Sequence, residues 1–149
     1  MFTKIKNYYP QLLVLLQFGI IGVMILLSNG VFTSLLTTSI FSFGLALGLW
    51  ALMYNKLGNF NIQPKMKEGS QLVTTGIYAY IRHPMYSAVI IIMLAVFIST
   101  PTLLETVLFV LLILVLLLKA KREERIWSEA DKEYEAYIKR SKHFIPFIL

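Results

Sequence analysis

The chain has 149 residues, 57% of them hydrophobic, and a mean hydropathy of +0.69, far more apolar material than a soluble domain of this size needs for its core. It is therefore read as an integral membrane protein, and its formal charge of +6, carried beside apolar runs, points to a membrane surface and away from nucleic acid. The absence of cysteine excludes a disulfide framework, a thiolate nucleophile and a cysteine metal site, and the two histidines stand so far apart in sequence that no metal is expected.

Residues 10–27 form an apolar run of about the length that spans hydrocarbon. No small-residue cleavage pattern follows it, so it is read as a retained helix and not as a signal peptide. Ser28-Asn29-Gly30 makes a tight turn, and residues 31–54 make the second span. Gly44 and Gly48 stand four apart in it, a spacing that lets two helix backbones approach. Packing inside this chain is favoured there over a dimer contact. Over residues 55–83 the hydropathy falls and Gly58, Asn59, Asn61, Pro64 and Gly69 appear, giving a cytoplasmic loop too long to be a plain connector.

The third span, residues 84–99, opens on Pro84, whose fixed φ and missing N–H suit the first turn of a helix, with His83 near the N-cap. Pro101 marks a turn, and residues 102–118 are the fourth span. Residues 119–140 follow as a C-terminal interfacial helix. Its stripe of Trp127, Ala130, Tyr134 and Tyr137 lies on the interface or packs against the middle loop. The expected architecture is thus a single all-α membrane domain of four transmembrane helices, a cytoplasmic loop and a C-terminal interfacial helix.

The basic residues bear on this count. Lys4 and Lys6 precede the first span, Lys56, Lys65, Lys67 and Arg82 lie between the second and third, and the remaining eight follow the fourth. By the positive-inside bias, both termini and the middle loop are expected to be cytoplasmic.

If the third and fourth spans form a hairpin turning at Pro101, Arg82 lies nineteen positions before the turn and Glu123 twenty-two after it. At about 1.5 Å per residue the two ends differ in height by about one helical turn. Arg82 and His83 would then face Glu123 and Glu124 at the cytoplasmic rim, where a helix N-terminus also favours an anion. Each residue alone has a plainer reading. Arg82 could snorkel or pair with an acid, His83 could be only a cap, Tyr78, Tyr80 and Tyr86 could form an interfacial belt, and the glutamates could belong to a solvated charge run.

The segments Leu72-Val73-Thr74-Thr75-Gly76-Ile77-Tyr78, Arg82-His83-Pro84-Met85-Tyr86, Glu123-Glu124, Glu133-Tyr134, Tyr137 and Ile145-Pro146 resemble the isoprenylcysteine carboxyl methyltransferase family and its bacterial relatives. The resemblance runs from about Asn59 onward, and the first two spans match in hydropathy alone. It implies a membrane enzyme that uses S-adenosylmethionine. By the family's pattern, His83, Pro84, Met85 and Tyr86 line the cofactor, Tyr78 does so from the loop, Leu72 and Val73 match the segment near the adenosine, and Gln63 stands at a polar contact upstream. One of Glu123 and Glu124 would hold the cofactor's ammonium, and the spacing does not choose between them. Where the family carries an arginine about one turn before its acid, this chain has Lys119, Ala120 or Lys121, and Lys119 is the candidate for acceptor binding. The Gly-rich strand-turn-helix motif of soluble nucleotide-binding folds is absent.

The resemblance implies methyl transfer to a lipidic or apolar acceptor embedded in the bilayer, a carboxylate being one candidate. Phospholipid N-methylation is an alternative in the same class. Membrane sterol reductases, which use a nicotinamide cofactor, look similar around Arg-His-Pro-x-Tyr, but the paired glutamates favour the methyl donor. A non-catalytic four-span scaffold is the third reading.

Overall fold

A computed structural model describes residues 2–55 and 71–145. These form α1 (Phe2–Leu27), α2 (Leu35–Tyr54), α3 (Pro84–Ser99), α4 (Leu103–Ala130) and α5 (Glu133–Arg140), with 3-10 turns at Val31–Thr33 and Gly76–Ala79. Among the described residues there is no strand, and an isolated parallel bridge joins Ile81 to Lys142.

Among the described residues, three helices are long and apolar enough to cross a membrane: α1 over Tyr8–Leu27, α2 and α4. The fourth apolar helix, α3, has 16 residues, a rise of about 24 Å against about 30 Å of hydrocarbon. Helix α1 extends back through Pro10 to Phe2, so the proline expected to open the span lies inside it, buried, where it removes one backbone hydrogen bond. The second helix starts later than expected. The Ser34 hydroxyl accepts from the Thr37 N–H at 3.2 Å, a side-chain cap that fixes the start at Leu35 and leaves Val31–Thr33 in a separate turn.

A larger correction concerns the end of the fourth span. The separate helix expected over residues 119–140 does not exist as such, because α4 runs unbroken from Leu103 to Ala130. Its Lys, Arg and Glu residues are good helix formers, and no Gly or Pro interrupts them. The chain bends at Asp131, whose carboxylate accepts from the Glu133 N–H at 2.9 Å and starts α5. Of the expected stripe, Tyr134 and Tyr137 are buried and Trp127 stacks on Tyr134, whereas Ala130 is exposed.

Helix α2 packs most closely on α3, and α1 on α4. A Cβ on Gly44 would stand 3.0 Å from the Ile92 backbone nitrogen, and one on Gly48 would stand 3.3 Å from the Ala88 Cβ. The two glycines thus serve a contact within the chain. Met24, Met93, Leu112 and Leu116 fill the centre of the bundle. At one end of it, the Ser28 and Ser99 hydroxyls meet at 3.0 Å and the Asn29 N–H donates to Thr100 Oγ1 at 2.8 Å, tying the α1 turn to the α3–α4 turn. At the other end, the start of α3 faces the last turns of α4.

Candidate functional site

Two backbone devices build this second end. Gly76 has φ +61°, and the Tyr54 ring lies where a Cβ would be, so the chain can turn tightly against α2 before reaching α3. The segment after α5 then returns beside the start of α3. The Arg82 N–H donates to the Lys142 carbonyl at 2.7 Å, the His83 N–H to the His143 carbonyl at 3.1 Å, and the Lys142 N–H to the Tyr80 carbonyl at 2.9 Å. His83 is the N-cap residue of α3, but its side chain caps nothing and is turned toward the acids.

Glu124 is the hub of the cluster. Its Oε1 accepts from Arg82 Nε at 2.6 Å and lies 3.1 Å from His83 Nε2 and 3.1 Å from His143 Nδ1, the last out of line for a hydrogen bond. The Arg82 side chain is only 6% exposed. Its Nη1 donates to the Ser141 and Ile138 carbonyls, where it also complements the C-terminal end of α5. Glu123 is differently placed. It accepts from the Tyr86 hydroxyl through Oε1, its Oε2 lies 3.5 Å from His83 Nδ1, and at 23% exposure against 14% it is the more open of the two acids.

Burial pushes the His83 pKa down, but hydrogen bonds to Glu123 and Glu124 outweigh it, and the value lies above the ordinary histidine range. An imidazolium donating toward an acid from each nitrogen is the species this geometry fits. His143 moves the other way, lowered by burial against the pull of Glu124. Tyr78 and Tyr134 are raised, chiefly by burial, and Tyr137 is pushed up to about 12 by the same cause, against Arg82 and Arg140. These phenols are neutral donors. The Tyr137 hydroxyl donates to the Tyr78 carbonyl at 2.6 Å and so locks α5 to the loop.

The other expected site residues divide. Tyr86 stacks on His83 with centroids 5.6 Å apart, and Pro84 is buried at the head of α3. Met85 turns toward α2, where it packs with Val73 against Ala51, Ile77, Tyr78 and Ile81 and takes a long contact of 3.9 Å from Asn55 Nδ2. Leu72 is half-buried in the same loop. Gln63 lies outside the described residues. Lys119, the acceptor candidate, is turned into the bundle and is 2% exposed. Its ammonium donates to Gln17 of α1 and stands over the Tyr86 ring at 5.1 Å from the centroid.

Three contributors escaped the sequence reading: Gln17, His143 and Phe144. A glutamine in the middle of an apolar run, as Gln17 is, was a usable signal, since buried polar groups in a bilayer seek partners. The two histidines, judged too distant in sequence to meet, have ring centroids 5.9 Å apart, and the nearest ligand atoms of His83, Glu124 and His143 lie within 4.8 Å of one another. Sequence separation was therefore no argument against a metal. The guanidinium on the same Glu124 oxygen is one, because it already supplies the positive charge there.

Beside the cluster, a cleft of about 460 Å³ opens between α2, α3 and the returning segment, lined by Phe43, Leu47, Trp50, Ile81, Ile91 and Phe144 among others. Ser87, a polar member of its wall, donates its hydroxyl to the Phe144 carbonyl at 2.7 Å. Phe144 lines the cleft and also meets the His83 ring, with centroids 5.9 Å apart.

Apolar helices surrounding a charged, aromatic cluster at one end of their bundle define a helical integral membrane protein with a polar site at its rim. The family model for the isoprenylcysteine carboxyl methyltransferase family matches residues 35–129, and the chain belongs to that family. It is accordingly a membrane methyltransferase, a reading that displaces the reductase and scaffold alternatives. No curated relative matches the chain. The matched residues include α2, α3 and both acids but neither α1 nor the segment carrying His143, so part of the cluster is built from outside them.

Proposed function

We propose that the chain transfers a methyl group from S-adenosylmethionine to a lipidic carboxylate at the cytoplasmic face of the membrane. The observation that carries this reading is the unequal pair of acids. Glu124 is spent on Arg82 and the histidines, while Glu123 keeps exposure and capacity for a further cation. The donor's ammonium is assigned to Glu123, and Glu124 with Arg82 holds the frame.

The residues present suit such a donor. Glu123 supplies the acid, and the stacked His83 and Tyr86 rings supply a flat surface. By the family's pattern Pro84, Tyr78, Leu72 and Gln63 complete the set, together with Met85 and Val73, which here pack toward α2. When bound, the sulfonium supplies an electrophilic methyl group. The protein's part is alignment and exclusion of water, which contribute most to a displacement at carbon.

The roles assigned to the acids support a carboxylate acceptor. A carboxylate, with a pKa near 4 in model compounds, is already ionised at neutral pH and needs no base. An amine would need one, and in this reading Glu124 is committed to Arg82 and Glu123 to the donor's ammonium. Phospholipid N-methylation is therefore disfavoured. The apolar cleft beside Phe144 suits the acceptor's chain, entering sideways from the lipid. In this reading α3 makes the fourth crossing and both termini and the middle loop are cytoplasmic, as the basic residues suggest.

The test uses the full chain in nanodiscs, methyl-labelled donor and a membrane lipid extract, with identification of the labelled product. A base-labile methyl ester on a lipid is expected, and a labelled amine would overturn the choice of acceptor. Titration with S-adenosylmethionine and with NADPH tests the donor, and tight binding of NADPH alone would overturn it. Glu123→Gln is expected to weaken donor binding at least about tenfold, the scale of a lost charged contact, with Lys139→Ala as the exposed control.

A further inference from the structure

Lys119 and Glu123 are four residues apart on α4, a spacing at which a lysine and a glutamate on a helix ordinarily reach each other. They do not pair. Among the described residues the ion pairs of Glu123 within 4 Å include His83 and not Lys119. The ammonium is drawn instead to the side-chain carbonyl of Gln17, which is itself 6% exposed, and is covered by the Tyr86 ring. The same ring's hydroxyl donates to Glu123. One cation is thereby held away from an acid that lies within its reach.

We infer that Gln17 is a positioning residue for the methyl-donor site: by diverting the Lys119 ammonium toward α1, it keeps Glu123 from being neutralised within its own helix and leaves that acid open to the donor. The inference rests on the assignment of the donor's ammonium to Glu123. It also gives α1 a part in the site, although α1 lies outside the residues that the family model matches.

A buried ammonium needs an acceptor, and once the glutamine carbonyl is gone the nearest alternative along α4 is Glu123. Gln17→Leu therefore creates a competing internal counter-ion. The consequence is read by epistasis, because removing the competing cation should cure the defect, whereas a packing fault in α1 would persist.

Two measurements on the full chain in nanodiscs decide the matter. In the first, S-adenosylmethionine is titrated into wild type, Gln17→Leu and the double variant Gln17→Leu/Lys119→Met. The single change is expected to weaken binding about tenfold, as for a lost hydrogen bond to a charged group, and the double variant to recover to within about threefold of wild type. A double variant as weak as the single one overturns the inference. The second uses a membrane-permeant carbodiimide without donor, which joins a contacting amine and carboxylate as an amide with loss of water. Peptide mass spectrometry is expected to find a Lys119–Glu123 amide in Gln17→Leu and little in wild type, and equal yields overturn the diversion. If wild type binds no S-adenosylmethionine while the cross-link contrast appears, the donor assignment falls and the diversion of Lys119 stands.

Discussion

The two ends of α4 each carry glutamate, and they treat it in opposite ways. Glu105, in the first turn, is fully buried, and neither of its carboxyl oxygens has a hydrogen-bond partner. Glu123 and Glu124, near the far end, are partly exposed yet meet an arginine, two histidines and a tyrosine drawn from segments distant in sequence. Burial alone therefore does not make a site here. What distinguishes the rim is that α3, the loop before it and the segment after α5 all deliver polar groups to one place, whereas Glu105 has the positive end of its own helix as its electrostatic support.

The comparison breaks most sharply at Glu124. Glu124→Ala strands the Arg82 guanidinium, and removal of one member of a buried pair costs about 3–5 kcal/mol. Denaturant unfolding in detergent is expected to show a loss of that size, and a loss near zero would mean that the Ser141 and Ile138 carbonyls suffice for Arg82. Gly44→Ala touches neither end but attacks the seam that keeps α3 in place. Its Cβ would crowd the Ile92 backbone, and overpacking of this kind costs about 1–3 kcal/mol. Glu105→Met is expected to act in the reverse direction, raising stability by about 1–2 kcal/mol because an unpartnered polar group leaves the interior. A loss of stability would reveal a role for that carboxyl which its surroundings do not suggest.

The smallest effect is a pH dependence confined to the rim. The folded-state pKa of His83 lies above its unfolded value, so its contribution is fully present below about 6.5, the ordinary histidine value. It is lost as pH rises through the folded value. The melting midpoint of wild type is expected to decline over that interval, and His83→Gln to flatten the decline.

The meeting of Arg82 with Glu124 was legible in the sequence because helix rise is nearly constant, so residue counts on either side of Pro101 set which positions stand level. The glycine seam was legible for a similar reason, small residues one turn apart marking close approach. Chain return was not. Nothing in residues 141–144 announces that they will lie beside Arg82 and His83, since that course depends on the bend at Asp131, the length of α5 and the Tyr137–Tyr78 contact acting together. The continuity of α4 is hidden in the sequence because the change from apolar to charged residues near Lys119 has the look of a change of element. A helix can leave one solvent for another without breaking its backbone pattern.

The bridge between Ile81 and Lys142 bears on biogenesis. The amides of Arg82 and His83 pair with carbonyls 60 residues further along the chain. A nascent polypeptide whose apolar helices have already entered the bilayer still has these two donors unpartnered by protein, and the floor of the rim is laid only afterwards. Insertion and completion of the rim cluster are thus separate events, and a chain halted between them would sit in the membrane with that cluster unassembled.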